Sequence, residues 1–257
     1  EMVREMLAGD ELAPGDPETL AATGYLVRNW YKFNRNVWLE NTVEHTSKAF
    51  LGITLNCARC HDHMYDPILQ TEYYQFRALF EPHEVRTDRL PGQADTKVDG
   101  LVRAFDAKTD APTYLFARGN EAKPDKEHPL SPGVPRVLGS ELAIAPVALS
   151  TAEYYPGSQE FVRQESLTAA ETELRRAQEA MTKSAAALNE TREKAKSDEK
   201  LKPAIDEAQG AMTVAEVDLL AAHAALAATR AKIAADAAAF SNPPAANTKE
   251  LATEAAR

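Results

Sequence analysis

Residues 57–67 read "CARCHDHMYDP". The chain has 257 residues and two cysteines, and both cysteines lie in this stretch. Cys57, Cys60 and His61 form C-x-x-C-H, the spacing that attaches a c-type haem. Such a haem needs two thiols to add to its vinyl groups, and a histidine from the same turn to ligate iron. Three other readings stay open. A Cys57–Cys60 disulfide leaves His61 without a role. A zinc site needs further ligands, and no second Cys pair supplies them. A thioredoxin-like redox pair needs a βαβ context that the flanking sequence does not suggest. The spacing favours haem.

The opposite face of the iron decides between chemistries. His63 and Met64 follow His61 too closely to reach across it. His83 lies past a helix and the Pro82 break, with freedom to fold back, and is the first choice for a distal ligand. His45 is the second: an unbroken helix from it to Cys57 would rise ~18 Å, too far unless Gly52 bends it. An open or water-bound position is the third. Two strong protein ligands favour electron transfer; an open position favours peroxide or small-ligand chemistry. His128 reads as a surface residue, and Met2 and Met6 as helix packing. Asp62, Asp66 and Glu72 read as turn and cap residues, with cation or propionate binding as the alternative.

Upstream, Met2, Met6 and Leu7 have helical spacing, closed by Gly9. Asp16 caps and Pro17 opens a second helix that Gly24 ends. Tyr25, Trp30, Tyr31, Phe33 and Trp38 would pave a haem pocket or fill an ordinary aromatic core. "NTVEHTSKAFLGITLN" (41–56) predicts a helix running into the cysteines. Downstream, Asp66-Pro67 makes a turn, and "TEYYQFRALF" (71–80) is an amphipathic helix stopped by Pro82.

Residues 84–157 are proline-rich and irregular, with "PTYLFAR" a short strand and "LAIAPVAL" an extended piece. Beyond 158 the texture is helical. Leu167, Leu174, Met181 and Leu188 recur every seven residues, as do Ile205, Met212, Leu219, Leu226, Ile233 and Phe240. Ala208, Ala215 and Ala222 add a second row, the a/d seam of a coiled coil. An antiparallel hairpin about Pro203 would oppose Leu188 with Met212, Met181 with Leu219, Leu174 with Leu226 and Leu167 with Ile233. Each arm would span ~55 Å. Asn242-Pro243-Pro244 ends the second helix.

A formal charge of −10 argues against nucleic acid or an anionic membrane as the main partner. No run approaches eighteen unbroken apolar residues. The chain opens at Glu1 without the basic and apolar regions of a signal peptide. It reads as a mature, processed or internal piece. Haem is attached outside the cytoplasm, so a periplasmic or extracellular setting is expected, with an export signal not contained in this sequence.

The segment "HTSKAFLGITLNCARCHDHMYDPILQTEYYQFRALFEPHEVRTDR" (45–89) closely resembles the cytochrome-like domain of large secreted planctomycete proteins. That family joins a planctomycete-type cytochrome c domain to a planctomycete-specific domain of unknown function. "DAPTYLFARGNEAKPDKEHPLSPGVPRVLG" and "YYPGSQEFV" resemble the segment that follows. The resemblance implies covalent haem c at Cys57 and Cys60, with His61 as proximal ligand, and a secreted or periplasmic setting; it supplies no activity. The family commonly has a lysine where this chain has Met64. It also extends beyond both ends of this sequence, which therefore looks like an internal portion.

The expectation is a mainly α protein in four parts. Residues 1–83 form a cytochrome c-like haem module, and 84–157 an irregular segment with minor β. Residues 158–240 form the antiparallel hairpin, and 241–257 a tail or linker. The expected function is electron transfer by one haem within a larger assembly, with the hairpin as docking arm for a partner protein. The rivals are a haem enzyme with an open distal site and a structural scaffold.

Overall fold

A computed structural model describes residues 1–139, 142–145, 147–241 and 252–253. It is mainly helical and divides into two compact units, Glu1–Tyr154 and Tyr155–Arg257.

The first unit opens with α1 (Met2–Leu12), α2 (Pro17–Ala22) and α3 (Gly24–Val27). Asp16 caps α2 as its sequence signals, accepting from the Thr19 N–H at 3.0 Å. Gly9 does not close α1. The helix kinks at Ala8 and continues, and Gly9 is buried where α1 meets α2. A Cβ at Gly9 would lie 2.7 Å from the Thr19 carbonyl oxygen, so this contact needs glycine. Met2 is 63 % exposed and packs in no core.

Helix α4 (Arg35–Thr46) begins earlier than expected, because Asn34 caps the Asn36 and Val37 N–H groups at 2.8 and 3.3 Å. It widens into a π turn at Ser47–Leu51 and stops at Gly52, whose φ is +67°. The left-handed glycine redirects the chain before a 3-10 turn, Leu55–Arg59, that carries Cys57. Helix α5 (Gln70–Ala78) follows the Asp66-Pro67 turn.

The two strands lie where the sequence suggests none. β1 (His83–Asp88) and β2 (Leu101–Asp106) pair antiparallel, with His83 opposite Asp106 and Arg86 opposite Arg103. Between them sits α6 (Thr96–Asp99). The two facing arginines are held by anions: Arg103 Nε and Arg86 Nη2 donate to Asp88 at 2.6 and 3.1 Å. Arg86 Nη2 also donates to the Glu153 carbonyl at 2.6 Å, in α7 (Thr151–Tyr154). "PTYLFAR" forms no named strand; Thr113 and Phe116 make single bridges to Leu130 and Pro124. Within "LAIAPVAL", residues 142–145 and 147–149 have no regular structure, and Pro146 lies outside the described residues.

The core of this unit joins α3, α4, α5, the 3-10 turn and the later segment. Trp38, Leu39, Val43, Leu55, Ala58, Tyr73, Tyr74 and Phe116 are buried together. Each large apolar side chain so buried contributes roughly 1.5–3 kcal/mol. The Trp38 indole N–H is satisfied by the Leu26 carbonyl at 2.8 Å. Of the five aromatics between 25 and 38, Trp38 is core and Tyr25 stacks on Phe50. Trp30, Tyr31 and Phe33 are 44–83 % exposed.

The second unit holds α8 (Glu160–Ala195) and α9 (Lys202–Ala239), 36 and 38 residues long, as the expected hairpin. Ala177, Leu188, Ala215 and Leu226 are buried along its seam. Arg192 bonds Gln209 and Arg230 bonds Glu171 across the pair, at 2.8 and 3.1 Å, which agrees with the predicted pairing to within a residue. By length and composition α9 is apolar enough to cross a membrane, with an 18-residue stretch at a mean hydropathy of 1.4. Val, Leu and Met contribute more to that value than the alanines do, and α8, packed along it, is charged throughout. The stop at Asn242-Pro243-Pro244 lies outside the described residues, as does almost all of the tail.

Candidate functional site

The 3-10 turn at Leu55–Arg59 projects Cys57 outward and leaves Cys60 half-buried; both thiols are free. The carbonyl of Arg59, between them, accepts from Gln70 Nε2 at 2.9 Å and from the Tyr74 hydroxyl at 3.1 Å. The Arg59 guanidinium bonds Glu40 on α4. The turn is thereby tied to both helices behind it. The side chain of Cys60 packs on a turn at 117–119. There Arg118 and Gly119 have φ of 55° and 70°, and a Cβ on Gly119 would come within 2.6 Å of the Cys60 sulfur.

His61 is exposed, and its Nδ1 lies 2.6 Å from the Asp62 carbonyl. A carbonyl only accepts, so Nδ1 is the donor in this bond, and in the neutral imidazole Nε2 then holds the lone pair. Metal-ligating histidines are oriented by this kind of bond. His63 does different work. Its side chain is 5 % exposed, and its Nδ1 accepts from the N–H groups of Tyr65 and Asp66 at 3.2 and 2.8 Å. Its Nε2 then donates to Thr54 Oγ1 at 3.2 Å. His63 is the post around which the loop after the motif winds, a role its sequence position does not signal.

The acids beside the motif act as caps. Asp62 Oδ1 accepts from the Gln70 N–H at 2.8 Å at the start of α5. Glu72 accepts from the Leu69 N–H at 2.7 Å and from the Arg136 N–H and Nε at 3.0 Å. Burial pushes its carboxyl up, but these bonds outweigh it and hold it below the usual glutamate range. His128 is exposed and pairs with Asp125 at 3.0 Å.

His83 and His45 line two other cavities, and Cys57, Cys60 and His61 line neither. His45 is exposed, beside Arg28, Asn29 and Lys48. His83 is buried, with Nε2 3.5 Å from Asp106 Oδ1 across the sheet, in a cavity of about 320 Å³. Asp10 and Glu11, from the kinked end of α1, line the same cavity. Burial drives His83 down to about 4, against the pull of Asp10, and so keeps it neutral. Burial likewise raises Asp10, Asp106 and Glu11. Sequence reasoning missed Asp10, Glu11 and Asp106. No spacing links residues so far apart in the chain, and only the β1–β2 register sets Asp106 beside His83. Among the described residues, no group of three or more His, Cys, Asp or Glu side chains is close enough to hold a metal ion.

Residues 1–85 match a family model described as PSCyt2, protein of unknown function (DUF1549). This is a planctomycete-type domain of unknown function; the match does not show a cytochrome c domain. No curated protein and no solved structure matches it.

Proposed function

We propose that this chain binds one haem covalently through Cys57 and Cys60, with His61 as the iron ligand, and serves electron transfer outside the cytoplasm within a larger assembly. One observation carries the reading. A single short segment presents two free sulfurs and an imidazole whose Nδ1 is tied to the Asp62 carbonyl, leaving Nε2 open. The donor set fits the group. Haem held in this way supplies a one-electron iron couple. The residues around it act as a frame. Gln70 and Tyr74 hold the Arg59 carbonyl, which sets the spacing of the sulfurs, and Asp62 fixes the ring of His61. The long hairpin supports a docking role, since α8 and α9 present a charged and an apolar outer surface to partners.

The test is the full chain produced with a c-type haem attachment system, run on a denaturing gel stained for haem and read as a pyridine haemochrome. A band and a c-type spectrum that vanish in Cys57→Ser/Cys60→Ser are expected. A colourless protein overturns the reading and leaves a scaffold. The second reading, an enzyme with an open distal position, is favoured by the burial of His83 in a cavity that the motif residues do not line. Ready binding of azide or cyanide to the ferric protein supports it. Resistance to both, lost in His83→Ala or His45→Ala, supports a six-coordinate carrier.

A further inference from the structure

The cavity beside His83 has features that the haem reading does not use. Its walls are apolar, with Phe50, Phe76 and Phe80 among them. Into this apolar space come three acids, Asp10, Glu11 and Asp106, and the neutral imidazole of His83. Asp10 is 4 % exposed. The arginines nearest by charge bond no acid of the cavity, although Arg103 acts on Asp10 through space. Arg103 is bonded to Asp88, and Arg35 to Glu84 and the Glu81 carbonyl. A second feature is independent of the acids. Thr46, 3 % exposed, lines the same cavity, and its hydroxyl is buried with no hydrogen-bond partner. Buried polar atoms without partners are rare, and each calls for an explanation. Asp106 Oδ1 is likewise without a hydrogen bond, since the 3.5 Å approach of His83 is too long for one.

We propose that this cavity is a binding site for a small organic cation, a primary ammonium on an aromatic or aliphatic body. An ammonium brings three donors and a positive charge. Asp106 Oδ1 and the Thr46 hydroxyl are unmet acceptors, and Asp10 supplies buried negative charge. Phenylalanine faces attract cations and cover an apolar body. The volume falls at the lower end of the range for small-molecule sites. Burial raises the Asp10 and Asp106 carboxyls, and Asp106 adds to the effect on Asp10; a bound cation would oppose both. The site stands independently of whether haem is attached.

The test is titration of the full chain with 2-phenylethylammonium and with its neutral analogue 2-phenylethanol, by calorimetry and by thermal shift. The ammonium is expected to bind at least tenfold tighter than the alcohol and to raise the melting temperature. Asp106→Asn and Thr46→Val should each weaken it several-fold or more. Asp10 is buried, so Asp10→Asn risks misfolding; Glu11→Gln, at an exposed position, is the companion variant and should weaken binding modestly. Equal binding of both probes overturns the proposal by showing an apolar pocket alone. Binding of neither overturns it, as does a thermal shift with calcium or magnesium but not with the amine.

Discussion

Replacing Gly119 with alanine should loosen the turn that covers Cys60. Gly119 has φ +70°, where a side chain costs about 1–2 kcal/mol. The new methyl would meet the Cys60 sulfur at 2.6 Å, about an ångström inside ordinary contact. Overpacking of this kind costs roughly 1–3 kcal/mol. The turn cannot simply swing away, because the Gly119 N–H is bonded to the carbonyl of Phe116, itself a core residue. The expected loss is thus about 2–5 kcal/mol, read as a lower urea midpoint with unchanged slope. Gly139 provides the control. Its φ is +80°, but nothing lies within 4 Å of its Cβ position, so Gly139→Ala should cost only the backbone part. In a Cys57→Ser background, Cys60 is the single thiol, and Gly119→Ala should speed its reaction with a disulfide reagent. If Gly119→Ala and Gly139→Ala cost the same, and Cys60 reacts at an unchanged rate, the packing of this turn on the motif is refuted.

Asp88→Ala leaves the buried Arg103 without its closest anion and should cost about 3–5 kcal/mol in chemical denaturation; a loss under 1 kcal/mol would contradict the network. Glu72→Gln weakens the bonds to Leu69 and Arg136 and should cost about 1–3 kcal/mol at neutral pH. Because the folded pKa of Glu72 is depressed, its contribution is present above the unfolded value of about 4.3 and is lost as pH falls through the folded one. Stability curves of parent and variant should therefore converge in acid, and parallel curves would refute the assignment. Leu226→Ala, in the hairpin seam, should cost about 2–5 kcal/mol. Faster hydrogen exchange should appear within residues 160–239; protection unchanged there would count against the seam.

The hairpin was legible because a heptad repeat encodes its own packing, each seam residue being seven from the next. The helix at 17–22 was legible for a similar reason, since Asp16 and Pro17 act within one turn. The sheet was not. His83–Asp88 carries charges at Glu84, Arg86 and Asp88, and its like-charged pair Arg86–Arg103 is held by Asp88, which joins both, with Glu153 beside them. Gly9 illustrates a related ambiguity, because a helix-ending glycine and a close-packing glycine look alike until the neighbour is known. In the motif, the residue types and spacing were legible, but the work of Asp62, His63 and Gly119 depends on which way each group turns. The acids beside His83 were hidden entirely, since two segments, distant from it and from each other, supply them.

The stretch recognised by the family model ends at residue 85, inside β1, yet the packing pays no regard to that limit. Ala104 and Phe116, both later in the chain, are core residues, and Gly133 donates to the Gln75 carbonyl at 3.0 Å. A polypeptide cut at 85 would keep only the first three residues of β1, unpaired, and a hollow where an aromatic ring belongs. Such a fragment invites self-association through that unpaired edge. A chain carrying residues 1–85 therefore needs this downstream strap, or a substitute for it, to close the core.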